Sequence, residues 1–251
     1  MSKNFEVLSP VEREPEIFGA MANERDFLKA KLPCVCPQIH IDKAVREEEV
    51  KLIERVFLIP GENAPRVVAF LGVETPGGAA GICARAGQNL TEKTGLPVCL
   101  VDADLNAPAL YDYFDLGNHR FALAAASAQG GAVRDHTQGS DRPNLFLISA
   151  GHAVAGPPPS WKSGMWLSRL NELRREFQYI LIAGPPTTRQ GDAILLALCT
   201  DGVILVLESQ LTRRETARAV KQNLDAANVA ILGAVLNNRT FPIPESIFRK
   251  L

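Results

Sequence analysis

The run Val67-Val68-Ala69-Phe70-Leu71-Gly72-Val73 leads into the glycine-rich turn Glu74-Thr75-Pro76-Gly77-Gly78-Ala79-Ala80-Gly81, and a helical pattern follows over 80–94. An apolar strand, a tight glycine turn and a helix in that order give the layout of a phosphate-binding loop, in which backbone N–H groups and a helix N-terminus wrap the phosphates. Such a loop also uses a lysine for full positive charge and a Ser or Thr hydroxyl to hold magnesium. In this chain those two positions read Ala80 and Gly81. Gly77, Gly78, Ala79, Ala80, Gly81 and Ile82 therefore make a degenerate nucleotide-binding set, with the glycines that permit a tight loop and without its charge.

Outward from this stretch, apolar runs alternate with helical patterns in the βα rhythm of a parallel sheet covered on both faces. Strands are expected at 67–72, 97–102, 145–149, 179–183, 202–207 and 230–236, and helices at 80–94, 107–114, 163–176, 189–200 and 211–227. Gly95 stops the first of these helices, and Asp192 falls in the opening turn of the fourth, where a carboxylate suits the helix dipole. The fold class is α/β, a doubly wound, mostly parallel sheet. The segment from Gly117 to Asn144, with its Ala-rich and Gly-rich pieces, carries no clear period. Residues 1–60 read as a charged, proline-interrupted arm with one helix from about Lys43 to Leu58, and residues 61–251 as the α/β domain.

Composition narrows the partners. With 27 Lys and Arg against 28 Asp and Glu, the formal charge is −1, and there is no overall positive field for nucleic acid. The longest apolar runs, such as Gly202–Leu207, are strand-sized and fall far short of the ~20 residues that span a bilayer. The polar, acid-rich beginning lacks the basic start and apolar middle of a secretory signal, so a cytoplasmic protein is expected. Five cysteines, at 34, 36, 83, 99 and 199, form no disulfide framework, and Cys34-Val35-Cys36 alone is a weak metal signal. The four histidines stand apart from any nucleophile or metal spacing, and Trp161 and Trp166 read as helix anchors. Arg66 and Arg85 lie near enough to the loop in sequence to bring a compensating charge, but surface solvation is the expected role of both.

Four blocks in order resemble the bacterial tyrosine kinases of the CpsD/CapB type, within the MinD/ParA group of P-loop ATPases. The resemblance extends from about Glu48 to Leu251. Pro76-Gly77-Gly78-Ala79-Ala80-Gly81-Ile82 fits the family loop Pro-Gly-Glu-Gly-Lys-Ser-Thr without a gap. Val98-Cys99-Leu100-Val101-Asp102-Ala103-Asp104-Leu105-Asn106-Ala107-Pro108 matches the strand that ends Asp-Ala-Asp-Leu-Arg-x-Pro. Tyr179-Ile180-Leu181-Ile182-Ala183-Gly184-Pro185-Pro186 resembles the strand ending Ile-Asp-x-Pro-Pro, with Ala183 in place of the aspartate. The strands from Gly202 and from Ile231 follow the family's last two, and Asn237 falls where relatives place an asparagine near the base. Glu48-Glu49-Val50-Lys51-Leu52-Ile53-Glu54 keeps the spacing of the family's ring-forming Glu-x-x-Arg-x-x-Arg, with Lys51 for one arginine and Glu54 for the other. Only Tyr111, Tyr113 and Tyr179 are tyrosines, so the family's C-terminal tyrosine cluster is missing.

The resemblance implies that Asp102 and Asp104 would hold magnesium if any is bound, with Asp104 near the attacking group in an active member. Ala80, Gly81 and Ala183 imply instead a catalytically impaired homologue without expected catalytic residues, with ATP, ADP and magnesium as weak ligands at most. By the same resemblance, its place is as a regulatory or binding subunit of exopolysaccharide or capsule export. The implied partners are the cytoplasmic segment of a membrane polysaccharide co-polymerase, an active kinase paralogue and further copies of the chain. That partner would hold it at the inner membrane. Two alternatives stay open. One is an active ATPase or tyrosine autokinase with a partner-supplied cation, as arginine fingers act in trans; the other is a MinD/ParA-like positioning ATPase.

Overall fold

The computed structural model describes residues 43–59, 61–74, 78–104, 107–114, 137–140, 142–149 and 164–238. Gly77, Cys34, Cys36, Trp161 and the four histidines lie outside these residues, as do most of Gly117–Asn144 and the chain ends. Seven strands form one sheet: β1 (Val67–Gly72), β2 (Val98–Asp102), β3 (Gln138–Gly139), β4 (Leu145–Ser149), β5 (Tyr179–Ala183), β6 (Gly202–Glu208) and β7 (Ile231–Asn237). Their spatial order is β3-β4-β2-β5-β1-β6-β7. All neighbours pair in parallel except β3, a two-residue antiparallel edge strand on β4. The six expected strands are all present.

The helices are α1 (Lys43–Ile53), α2 (Gly78–Thr94), α3 (Leu110–Tyr113), α4 (Gly164–Glu176), α5 (Gln190–Ala197) and α6 (Arg214–Ala226). α2 ends where the sequence places its stop: Gly95 has φ +67° and its N–H donates to the Thr91 carbonyl at 2.8 Å. α3 is shorter than the stretch 107–114 read from the sequence.

Side-chain alternation divides the core into two layers, because successive strand residues face opposite sides of the sheet. Val67, Ala69 and Leu71 of β1, Cys99 and Val101 of β2 and Ile180 and Ile182 of β5 pack with Trp166, Leu170 and Leu173 of α4, Leu196 of α5 and Leu224 of α6. Val68, Phe70, Val98, Leu100, Leu181, Ile204 and Val206 face the other way, onto α2 and Leu110 of α3. Such strands, buried on both faces, read as continuous apolar runs.

α1 continues into a widened π-type turn at Glu54–Leu58 and closes this second layer with the buried Ile53, Val56 and Phe57. The Phe57 ring meets Tyr179 edge-on at 5.6 Å. Beyond the core, Glu49 on α1 accepts from Arg85 Nε at 2.5 Å and from Asn89 Nδ2 at 3.4 Å, both on α2. No helix among the described residues is long and apolar enough to cross a membrane.

Arg66 and Arg85 are not the solvated side chains expected from the sequence. Arg66 sits at the amino end of β1 and donates to the carbonyls of Gln178, Arg174 and Phe177 at 2.9–3.0 Å, closing the carboxyl end of α4. Asp201 receives the N–H groups of Arg66 and Val67, both at 2.8 Å, and Arg174 Nη2 at 2.6 Å. These contacts fasten the amino edge of the sheet, the end opposite the glycine-rich turn.

Candidate functional site

In an open parallel sheet, ligands bind outside the carboxyl ends of the strands where the chain reverses its winding direction. Here β1 lies between β5 and β6, and α2 starts at Gly78 after it. The parity that fills the α2 layer also aims particular side chains at the start of α2. Asp102 follows Val98 and Leu100 on β2, Ala183 follows Leu181 on β5, and Glu208 follows Ile204 and Val206 on β6. Asp102 lies directly across from Ala183 in the β2–β5 register, and Glu208 across from Asn237 in the β6–β7 register.

Ala79, Ala80, Asp102, Asp104, Ala183 and Gly184 are among the residues that line one cavity of about 10 Å³, the room taken by about one water. The structure thus brings together the lysine position, the two aspartates and the position of the missing third aspartate. Asp102 is buried, and its Oδ2 accepts the Leu110 N–H at 2.8 Å, tying β2 to the start of α3. Burial pushes its carboxyl up to about 7, against the opposing pull of the Leu110 and Asp104 N–H groups. Asp104 accepts the Ala107 N–H at 3.2 Å and pairs with Arg189 Nη1, also at 3.2 Å.

Arg189 was not singled out by the sequence reading. It follows a turn after β5 that is pinned to the end of β1, the Thr187 N–H donating to the Gly72 carbonyl and its hydroxyl to the Val73 carbonyl.

The remaining loop residues divide between two surroundings. Ile82 is buried in the α2 layer. A Cβ on Gly81 would lie 3.4 Å from Arg85 Nη1, so that guanidinium leans back over the glycine while Glu49 holds it. Gly78 opens α2 against the Glu208 carboxylate. Asn237 Nδ2 donates to Glu208 Oε1 at 2.8 Å, and Asn238 Nδ2 to Oε2 at 2.9 Å. Glu208 was also absent from the sequence reading, although an acid closing the apolar run Val203–Leu207 is a visible signal. Glu74, just after β1, accepts the Arg213 N–H and the Thr216 hydroxyl and so anchors the start of α6.

No protein-family model matches the chain. Among curated proteins it is 25% identical over 201 residues to the tyrosine-protein kinase YwqD of Bacillus subtilis, covering 80% of this chain and 77% of that one. It is 21% identical over 145 residues to the tyrosine-protein kinase CpsD of Streptococcus agalactiae, covering 58% of this chain and 63% of that one. These relatives are bacterial tyrosine kinases. The chain is homologous to them, as the four blocks implied, and it spans under two thirds of that CpsD protein.

Among solved structures, the chimerical protein CapA2B2 superposes with TM-score 0.70 at 18% identity, covering 81% of this chain and 88% of that one. MinD of Aquifex aeolicus superposes with TM-score 0.55 at 18% identity over 74% of this chain and 72% of that one. At these identities the neighbours establish the doubly wound fold shared by the kinase domains and the MinD/ParA ATPases.

Proposed function

We propose that this chain is a catalytically impaired homologue of the bacterial tyrosine kinases, serving as a binding or regulatory subunit in capsule or exopolysaccharide export. The observation that carries the reading is the set of side chains around the small cavity. Ala80 and Ala183 offer methyl groups and Gly81, next in the loop, offers none, where phosphoryl transfer would require an ammonium, a carboxylate and a hydroxyl. The residues present do not fit a magnesium nucleotide. Asp102 and Asp104 are carboxylates without the lysine that would offset them, and the hydroxyl that would hold magnesium is absent at Gly81.

A hydrogen bond to a charged group is worth about 1.5–3 kcal/mol, so losing two or three lowers nucleotide affinity by orders of magnitude. A doubly wound domain keeps its docking faces when such a site decays, because fold and site are separable. By the family resemblance, the partner is the cytoplasmic segment of a membrane polysaccharide co-polymerase, which would hold the chain at the inner face of the membrane. An active paralogue and further copies of the chain are the other expected associates.

One observation favours a second reading, an atypical ATPase or kinase whose cation comes from elsewhere. Arg189 brings a guanidinium to Asp104 at the rim of the cavity. Calorimetric titration with ATP and ADP, with and without magnesium, separates the two. The impaired reading expects no heat from the native protein and binding gained by the A80K/G81S variant. Micromolar, magnesium-dependent binding by the native protein would overturn it and make turnover the next assay.

A further inference from the structure

Two residues that the resemblance assigns to the nucleotide, Gly78 in the loop and Asn237 beside the base, both face one side chain, Glu208. Its position follows from the strand. Glu208 is the last residue of β6, on the parity of Ile204 and Val206, so its carboxylate is delivered to the α2 side of the sheet. Only 6% of the residue is exposed. A Cβ added to Gly78 would overlap Glu208 Oε1 and come 3.8 Å from Asn237 Nδ2. Both carboxylate oxygens are used, Oε1 by the Asn237 amide and Oε2 by the Asn238 amide. The backbone is fixed as well: the Glu208 N–H donates to the Thr212 hydroxyl at 2.9 Å, and its carbonyl accepts the Thr212 N–H at 2.9 Å.

We infer that Glu208 sets the ligand specificity of this loop, excluding phosphorylated nucleotides by fixing a negative charge against the first turn of α2 and by occupying the Asn237 amide. The inference rests on the reading above that the loop holds no nucleotide, and it names a cause separate from the missing lysine. The first turn of a helix carries unpaired N–H groups and partial positive charge, which is what draws a phosphate to such a loop. A buried carboxylate beside that turn takes up the same field and repels an incoming anion. Restoring the lysine and the hydroxyl alone therefore leaves the site partly closed. Because the carboxylate is held by two amides and a strand end, it does not swing aside as a long surface side chain would.

The test is calorimetric titration of magnesium ADP into the native protein, A80K/G81S, A80K/G81S/E208Q and A80K/G81S/N238A. Glu208→Gln removes the charge and keeps the shape, whereas Asn238→Ala loosens the cluster and keeps the charge. The triple variant carrying E208Q is expected to bind at least tenfold tighter than A80K/G81S, and the one carrying N238A no tighter. Equal affinities for A80K/G81S and A80K/G81S/E208Q overturn the inference, as does an equal gain from N238A. If the triple variant melts below the working temperature, E208Q alone is titrated with inorganic pyrophosphate, where binding that the native protein lacks supports the inference and its absence overturns it. Tight magnesium-nucleotide binding by the native protein would instead overturn the proposed function.

Discussion

Asp102 and Asp201 carry opposite pH signatures, and the difference lies in what surrounds each carboxylate. Asp102 is buried across from Ala183, with Ala80 lining the same cavity, so burial dominates and its carboxyl is pushed up to about 7. An unfolded chain releases that proton near 4, so the folded state binds more protons between about 4 and 7 and loses stability as pH rises through that window. Asp201 is also partly buried, which by itself would raise it. Arg174 and the N–H groups of Val67 and Arg66 outweigh burial and hold it below the ordinary aspartate range. Its contribution is present above about 4 and lost as pH falls through its lowered value. Thermal unfolding of the native protein, Asp102→Asn and Asp201→Asn across pH 3–9 checks both signs. D102N is expected to gain on the order of 2 kcal/mol over the native protein at pH 8 and little at pH 4, while D201N removes part of the acid limb. A D102N variant less stable than the native protein at pH 8 would overturn this sign, the N–H groups of Leu110 and Asp104 then outweighing burial.

At the scale of elements, the junction between α1 and α2 joins an apolar contact to an ion pair. Ile53 and Phe57 bury against the sheet, and Glu49 meets Arg85 with side chains only 13% and 19% exposed. A half-buried pair in one hydrogen-bonded cluster couples more strongly than a surface pair, so a double-mutant cycle on E49Q and R85Q is expected to return about 1–2 kcal/mol of coupling by denaturant unfolding. Coupling near zero would mean that the apolar residues alone dock the helix.

The same junction shows which features the sequence made legible. The six long strands were readable because parallel strands buried on both faces are unbroken apolar runs, and the turn at Gly95 because glycine takes a left-handed backbone without steric cost. β3 was not, since two residues on an edge carry no period. Asp102, Asp104 and Ala80 were legible through the resemblance of their two blocks to the family's loop and strand motifs. Arg85 reads from the sequence as a solvated helix charge, because Glu49, its partner, lies 36 residues away. Glu208 stands out locally only as the acid that closes an apolar run, and its partners Asn237 and Asn238, like the Asp104 partner of Arg189, lie in other chain segments that no local pattern records.

At the scale of the whole molecule, the distribution of strong contacts bears on how the protein responds to nucleotide. The amino edge of the sheet is fastened by Arg66, Arg174 and Asp201, and the carboxyl edge by the bonds of Thr187 to the chain just after β1, of Glu74 to the start of α6 and of Glu208 to Asn237 at the end of β7. At the carboxyl edge the chain thus supplies its own polar contacts where open parallel sheets in general bind ligands. A ligand that binds only the folded state stabilises it by RT ln(1 + [L]/Kd), so 5 mM nucleotide with a Kd near 10 μM would add about 3.7 kcal/mol. For a domain of this size that is a rise of roughly 7–15 °C in the unfolding midpoint. The expected outcome is a shift below about 1 °C for the native protein with 5 mM magnesium ATP, and a resolvable rise for A80K/G81S/E208Q under the same conditions. A native shift of several degrees, reversed by removing magnesium, would mean that the carboxyl edge opens to nucleotide despite its internal contacts. The partner-supplied or Arg189-supplied cation would then become the reading to pursue.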